Sequence, residues 1–306
     1  MERRIPELSF ADYAQGSPGR RAEFTDALTR ALQQYGFIIL RDHPVPAALL
    51  ERVNQLTTAL FAQDEATKRR YIGGTRGYAP FGTEHAKDRA EPDLKEFWQI
   101  GSEHAAPRDC GPANLWPDSP AGFRPTLLAL FDALQDTGQR ILEALAPGLD
   151  LDRSFFERLL TQRNSVLRLL HYPPVSNEVP RGSIRSAPHE DINLFTLLVA
   201  PRGSGLEVLD RDGHWLPVLS QPHHLIVNAG DMLARLTNDI IPAVTHRVVN
   251  PVGTNHSRYS MPFLMHPNPD VTLSCIESCI GAGAKYPNVT AGAFLEQRMQ
   301  EIGLGK

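Results

Sequence analysis

Cysteine is scarce. The 306 residues hold three, Cys110, Cys275 and Cys279, too few and too scattered for a disulfide framework or a thiolate zinc site. No charge sign dominates either: 31 Lys and Arg stand against 35 Asp and Glu, a net charge of −4 with neutral histidines. The basic footprint of a nucleic-acid binder is therefore missing. No uninterrupted apolar run approaches the roughly 20 residues of a membrane helix. The N-terminal MERRIPELSFADYAQGS carries charge but no apolar centre of a secretory signal. Several catalytic signatures are absent too. There is no Gly-x-Gly-x-x-Gly for a dinucleotide and no Gly-x-x-x-x-Gly-Lys for a nucleoside triphosphate. Gly-x-Ser-x-Gly is absent, and His189-Glu190 is followed by Asp191-Ile192-Asn193 rather than by a second zinc-protease histidine. What remains is ordinary globular composition, 42% apolar and 22% charged, in a chain long enough to bury a core without staples. These absences leave a soluble cytoplasmic protein, and an enzyme is the expectation.

The first 160 residues read mainly as helix. Phe24, Leu28 and Leu32 recur every four positions, and Gly36 sits where a left-handed terminal residue belongs. Phe37–Leu40 suits a buried strand. Pro46 opens a second helix, with Leu49, Val53, Leu56 and Leu60 on one face. Residues 73–118 are rich in Gly and Pro and read as loop and short strand. A helical period returns through Leu127, Leu130, Phe131, Leu134, Ile141 and Leu145, and Ser154 with Glu157 resembles a capping box. After Val166 the pattern changes to short apolar runs at 166–172, 194–200, 206–209, 215–218, 224–229, 244–249 and 258–266. Asp212-Gly213 is a hairpin signal and Gly230-Asp231 marks a turn. Residues 290–302 read as a closing helix. This spacing predicts an α+β chain with a mainly β core, an antiparallel sandwich or barrel flanked by helices. It has no linker between folding units: 1–160 mainly helical, 161–285 the β core, 286–306 the closing helix.

One constellation carries chemistry: His189-x-Asp191, then His246, then Arg258-x-Ser260. In an extended segment residues two apart share a face, so His189 and Asp191 can point at one ion. His246 lies in Val-Thr-His-Arg-Val-Val, where an imidazole among β-branched residues needs a reason. Two imidazoles and one carboxylate on one side of an ion leave the opposite positions open, the facial arrangement of non-haem Fe(II) oxygenases. Arg258 and Ser260 again share a face. A guanidinium matches a carboxylate in bidentate fashion, and on an interior strand it is costly unless it meets an anion.

These residues resemble the Fe(II)/2-oxoglutarate-dependent oxygenases, specifically the isopenicillin N synthase-like branch. The likeness extends through Tyr35-Gly36-Phe37 with His43, Arg76-Gly77-Tyr78, Asp93-Leu94-Lys95-Glu96-Phe97, Trp116-Pro117 and Leu169-Leu170-His171-Tyr172-Pro173-Pro174. It continues in Gly230-Asp231-Met232, Thr245-His246-Arg247-Val248 and Tyr259-Ser260-Met261-Pro262-Phe263. The resemblance implies a double-stranded β-helix, or jelly roll, with Fe(II) held by His189, Asp191 and His246. It implies 2-oxoglutarate held through its far carboxylate by Arg258 and Ser260, with Tyr172 as a further donor. Two positions depart from the branch: Leu170 stands where an Asn is usual, and Asp42-His43-Pro44 replaces Asn-His-Gly.

The activity so implied consumes O2 and 2-oxoglutarate, releases succinate and carbon dioxide, and oxidises, by default hydroxylates, an unactivated C–H bond of a small metabolite. Within the same fold the alternatives are an oxidase or cyclase that needs no 2-oxoglutarate, and cleavage of 2-oxoglutarate to ethylene. Outside enzymes the alternative is a jelly roll that binds a metal or small acid without turnover. Arg76, Tyr78, Phe81, Phe97 and Trp98 fall in the region expected to cover the iron. Of these Arg76, Tyr78 and Phe97, with Asn193 on the ligand-side phase, are the candidates for substrate contact, core packing being the other use of the aromatics. Glu190 is expected to face away from the iron, and Cys275 and Cys279 to be buried thiols. Neither the substrate nor the oligomeric state is written in the sequence.

Overall fold

The computed structural model describes residues 4–85, 91–104, 112–176, 179, 182–202 and 204–301; Cys110 lies outside them. The chain starts with β1 (Glu7–Ser9), α1 (Phe10–Ala14) and α2 (Pro18–Tyr35). Ser17 caps α2 by accepting from Arg20 N, and Gly36 ends it at φ 62° with its N–H on Leu32 O, as the spacing predicts. There follow β2 (Phe37–Arg41), α3 (Ala47–Phe61), α4 (Glu65–Arg69), β3 (Ile72–Gly73), β4 (Arg76–Ala79), β5 (Glu96–Gly101), α5 (Phe123–Leu145) and α6 (Phe155–Leu159). Pro46 is the N-cap of α3 rather than its first residue. The short helix α6 forms without a capping box. The Ser154 backbone is not extended, and its hydroxyl donates to Asp152 Oδ1 at 2.6 Å.

The second half supplies β6 (Val166–Tyr172), β7 (Ser186–His189), β8 (Phe195–Arg202), β9 (Leu206–Leu209), β10 (Trp215–Pro217), β11 (Leu225–Ala229), α7 (Asp231–Leu236), β12 (His246–Val248), β13 (Arg258–Met265) and α8 (Ala291–Glu301). Each of the seven apolar runs is a strand. Strand β7 is additional. Its Ser-Ala-Pro-His sequence has no apolar run, and its proline is tolerated because β7 lies at a sheet edge. Gly230-Asp231 is not a simple turn: Gly230 is the extended N-cap of α7 and Asp231 occupies its first turn.

Among the described residues nine strands form one sheet in the order β1-β2-β11-β8-β13-β6-β5-β4-β3, and four form another, β10-β9-β12-β7. All pairs are antiparallel except β1 with β2. The smaller apolar cluster joins Phe37, Ile39 and Ile226 of the large sheet to Leu206, Val208 and Val248 of the small one, which is the interior of the jelly roll. The larger cluster lies on the outer face of the large sheet, under α2, α3 and α5. There Leu127, Leu130, Leu134, Ile141 and Leu145 are fully buried, each worth roughly 2 kcal/mol of apolar transfer. Helix α5 approaches closely at Gly138, where a Cβ would stand 2.2 Å from Met265 Sδ. The first half is thus more than a helical layer: β2 pairs with β11, and β5 with β6.

Candidate active site

Strand β12 sets His246 directly opposite His189 of β7, so both imidazoles leave the small sheet on one face, with ring centroids 4.3 Å apart. Each ring is fixed by its own backbone. His189 Nδ1 donates to Ala187 O at 2.8 Å, and His246 Nδ1 donates to Val244 O at 3.1 Å. Those bonds put the proton on Nδ1 and leave both Nε2 lone pairs free. Asp191 stands just past β7, 3.9 Å from His189 Nε2 and 3.8 Å from His246 Nε2 through Oδ1. Its other oxygen is taken: Oδ2 accepts from Thr196 Oγ1 at 2.6 Å and Asn228 Nδ2 at 2.8 Å. One nitrogen, one oxygen and one nitrogen remain, all within 4.8 Å of one another, the donor set that suits a divalent iron. Burial, and then His246, push His189 down to about 4. Burial works to raise the Asp191 carboxyl, but the two imidazoles and the Thr196 and Asn228 donors hold it below its usual range.

The triad opens on a cavity of about 630 Å³. Alternation along two neighbouring strands of the large sheet builds one wall: Arg258, Ser260, Pro262, Leu264 and His266 from β13 and its end, and Val166, Arg168, Leu170 and Tyr172 from β6. The register sets Arg258 opposite Tyr172 and Ser260 opposite Leu170. Arg258 is 1% exposed, its Nε, Nη1 and Nη2 have no hydrogen-bond partner among the described residues, and its Cζ lies 5.0 Å from the Tyr172 ring centroid. A buried guanidinium in that state calls for an anion, and the far carboxylate of a keto diacid fits it.

A polar chain lines a second wall. Asp93 accepts from Ala187 N at 2.8 Å and from Lys95 Nζ at 2.8 Å; Lys95 reaches Glu84 at 3.1 Å, and Glu84 reaches Arg168 at 3.1 Å. Arg168 Nε then donates to Gln99 Oε1 at 2.6 Å. The strand that carries His189 is braced by this chain. At the far end of β13 from Arg258, His266 is 7% exposed, and its Nδ1 has no hydrogen-bond partner among the described residues. Burial pushes it down to about 4, so its ring is neutral at pH 7.

Of the four residues expected at the substrate, Arg76 and Asn193 line the cavity and two do not. Gly77, at φ 84°, breaks the alternation after Arg76. Tyr78 therefore turns away, its hydroxyl lying 2.5 Å from a Glu96 carboxylate oxygen and 2.9 Å from one of Glu65. Phe97 lies under Arg168, whose Cζ is 4.5 Å from its ring centroid. Asn193 spends its amide on Phe195 O and Thr196 Oγ1, both at 2.9 Å. Phe81 is exposed and Trp98 is core. Glu190 sits at the cavity rim and accepts from Thr245 Oγ1. Cys279 is buried and Cys275 half-buried. Asp93, Lys95, Glu84, Arg168, Thr196, Asn228 and His266 are functional candidates to which motif reading assigned no role, although Asp93 and Lys95 stand in a segment that carries the family likeness. Of the others, only Arg168 and His266 had a signal, the two-residue phase of Tyr172 and Arg258 extended along their strands.

Residues 163–267 match the 2OG-Fe(II) oxygenase superfamily model, and residues 5–119 match the model for the N-terminal region of non-haem dioxygenases in morphine synthesis. A proline hydroxylase of Petromyces alliaceus is 31% identical, over 96% of this chain and 98% of that protein. A solved 2OG-Fe(II) oxygenase family protein of Caulobacter crescentus is 39% identical with a TM-score of 0.87, covering 97% of this chain and 99% of that one. A full-length Neurospora crassa protein, solved in complex with alpha-KG (2-oxoglutarate), is 29% identical with a TM-score of 0.88, covering 97% of this chain and 96% of that one. Among the described residues no helix is long and apolar enough to cross a membrane. The chain belongs to the 2-oxoglutarate–Fe(II) oxygenase superfamily, as an oxidoreductase of the isopenicillin N synthase-like group that uses Fe(II), 2-oxoglutarate and O2.

Proposed function

We propose that His189 Nε2, Asp191 Oδ1 and His246 Nε2 hold the Fe(II), and that Arg258, with Ser260 and Tyr172, holds the far carboxylate of 2-oxoglutarate. The observation that carries this reading is Arg258, a buried guanidinium with no hydrogen-bond partner among the described residues, on the wall of the cavity that the triad faces. When bound, the iron supplies oxidative decarboxylation of 2-oxoglutarate to succinate and carbon dioxide, coupled to oxidation of a C–H bond. The chain's own residues fix the geometry. Ala187 and Val244 carbonyls hold the imidazoles, and Thr196 with Asn228 keeps Asp191 to one free oxygen. Apolar Leu264, Val166 and Leu198 limit water beside the reacting carbon.

The substrate occupies the part of the cavity bounded by His266, Arg168, Leu264 and Arg76, and its oxidation is a hydroxylation. Support comes from relatives: one is a proline hydroxylase, and the Neurospora protein has been solved with thymine and with 5-formyluracil. A small polar metabolite is the corresponding substrate class here. The three stretches of chain work as one unit, because β2 and β5 enter the sheet that carries Arg258. We place the enzyme in the cytoplasm without a nucleic-acid or membrane partner. The test is an anaerobic titration of metal-free protein with Fe(II), with and without 2-oxoglutarate. Bidentate keto-acid binding should produce a weak visible charge-transfer band that neither component gives alone. Iron binding without that band would overturn the cosubstrate assignment.

A further inference from the structure

A second buried arginine stands behind the first. Arg185 lies just before β7, four residues ahead of His189, and is 4% exposed. Its main-chain N donates to Asn250 Oδ1 at 3.1 Å, and its Nη2 donates to the carbonyl of His256, two residues before Arg258. Its Nε has no hydrogen-bond partner among the described residues. Neither Arg185 nor Arg258 forms an ion pair among the described residues, and both have Tyr172 as an electrostatic neighbour. Burial is the main influence that lowers each guanidinium, and the charge of Arg185 lowers Arg258 further. Two like charges side by side in a low-dielectric interior repel, and each lacks the carboxylate that normally accompanies a buried arginine. Such a pair is favourable only once an anion arrives. Arg185 does not line the cavity, so it acts on that anion through its field and through the His256 carbonyl that leads into β13. The wall it backs offers few neutral donors, with Leu170 opposite Ser260.

We propose that Arg185 is a positioning residue for the cosubstrate: a second positive charge behind Arg258 that tunes the pocket to dicarboxylic keto acids over monocarboxylic ones. The proposal rests on the assignment of Arg258 to the far carboxylate. A buried charge acts on an anion held at Arg258 without touching it, because little water screens it.

The experiment measures dissociation constants of 2-oxoglutarate and of 2-oxobutyrate, which lacks the far carboxylate. It uses anaerobic Fe(II)-loaded protein, followed by the charge-transfer band and by calorimetry. Arg185→Gln should weaken 2-oxoglutarate about tenfold and leave 2-oxobutyrate within about twofold, with iron affinity unchanged. Arg185→Lys, which keeps the charge, should retain most of the preference for the diacid. Equal weakening of both keto acids would mean a structural role, and unchanged binding of both would mean none; either overturns the proposal. If the Gln variant does not fold, the Lys variant decides, and loss of diacid preference there is the overturning result. Arg258→Ala is the separate control: if it leaves diacid preference intact, the Arg258 assignment has failed rather than the role of Arg185.

Discussion

Single atoms decide what the iron site can hold. Asp191 offers one oxygen because Thr196 and Asn228 occupy the other. Asn228→Leu removes one of the two donors to that oxygen and loosens the carboxylate, so iron affinity should fall about 10- to 100-fold with little change in fold, read by anaerobic metal competition. Arg258→Ala should raise the 2-oxoglutarate KM by about two orders of magnitude, since a charge-assisted bidentate pair worth roughly 3 kcal/mol is lost. An unchanged KM would sink the assignment. The triad, Arg258 and Ser260 were legible in the sequence because chemistry demands those side chains at those spacings. Arg185 and Asn228 were not. Each sits on its own strand or strand end, and only folding brings them to Arg258 and Asp191. Tyr78 misled because the conformation of Gly77, invisible in a two-residue pattern, turns the ring to the opposite face.

Elements were legible where their periodicity is strong. Helix α5 and the seven apolar runs emerge as read, whereas β7 hides behind Pro188 and small residues, and β5 behind the buried charge of Glu96 and the amide of Gln99. The strand that presents the first proposed metal ligand was thus the hardest to see. Close packing at α5 gives an element-scale test. Gly138→Ala improves helix propensity by about 1 kcal/mol, yet its methyl would collide with Met265 Sδ, with Leu197 also near. The net effect should be a loss of about 1–3 kcal/mol, measured by urea denaturation. A stabilised variant would mean that the helix stands further off the sheet.

For the whole molecule, iron and protons act on the same fold. Saturating Fe(II) at a hundredfold over its Kd should stabilise the protein by about 2.7 kcal/mol, and chelation should reverse it, which calorimetry can follow. In the metal-free protein His266 is pushed down to about 4 by burial, below the ordinary 6.5. Between those values the unfolded chain binds more protons. Stability is therefore complete above about pH 6.5 and falls as the pH drops toward 4, by up to about 3 kcal/mol from this residue. His266→Leu should flatten that slope in denaturation at pH 7.5 and pH 5; an unchanged slope would show that His266 is not buried as a neutral ring. One wall of the cavity also follows a single length of chain. Arg258 and His266 are eight positions apart on the same face of β13 and its end, a separation of about 26 Å at the rise of an extended strand. On the proposed assignment that strand is a ruler with the cosubstrate gripped at one end. Sliding it by one residue would reverse every face, so the ruler cannot be shortened gradually. Changing the reach to a different substrate means resizing the side chains at 264 and 266, with the grip at 258 and 260 left in place.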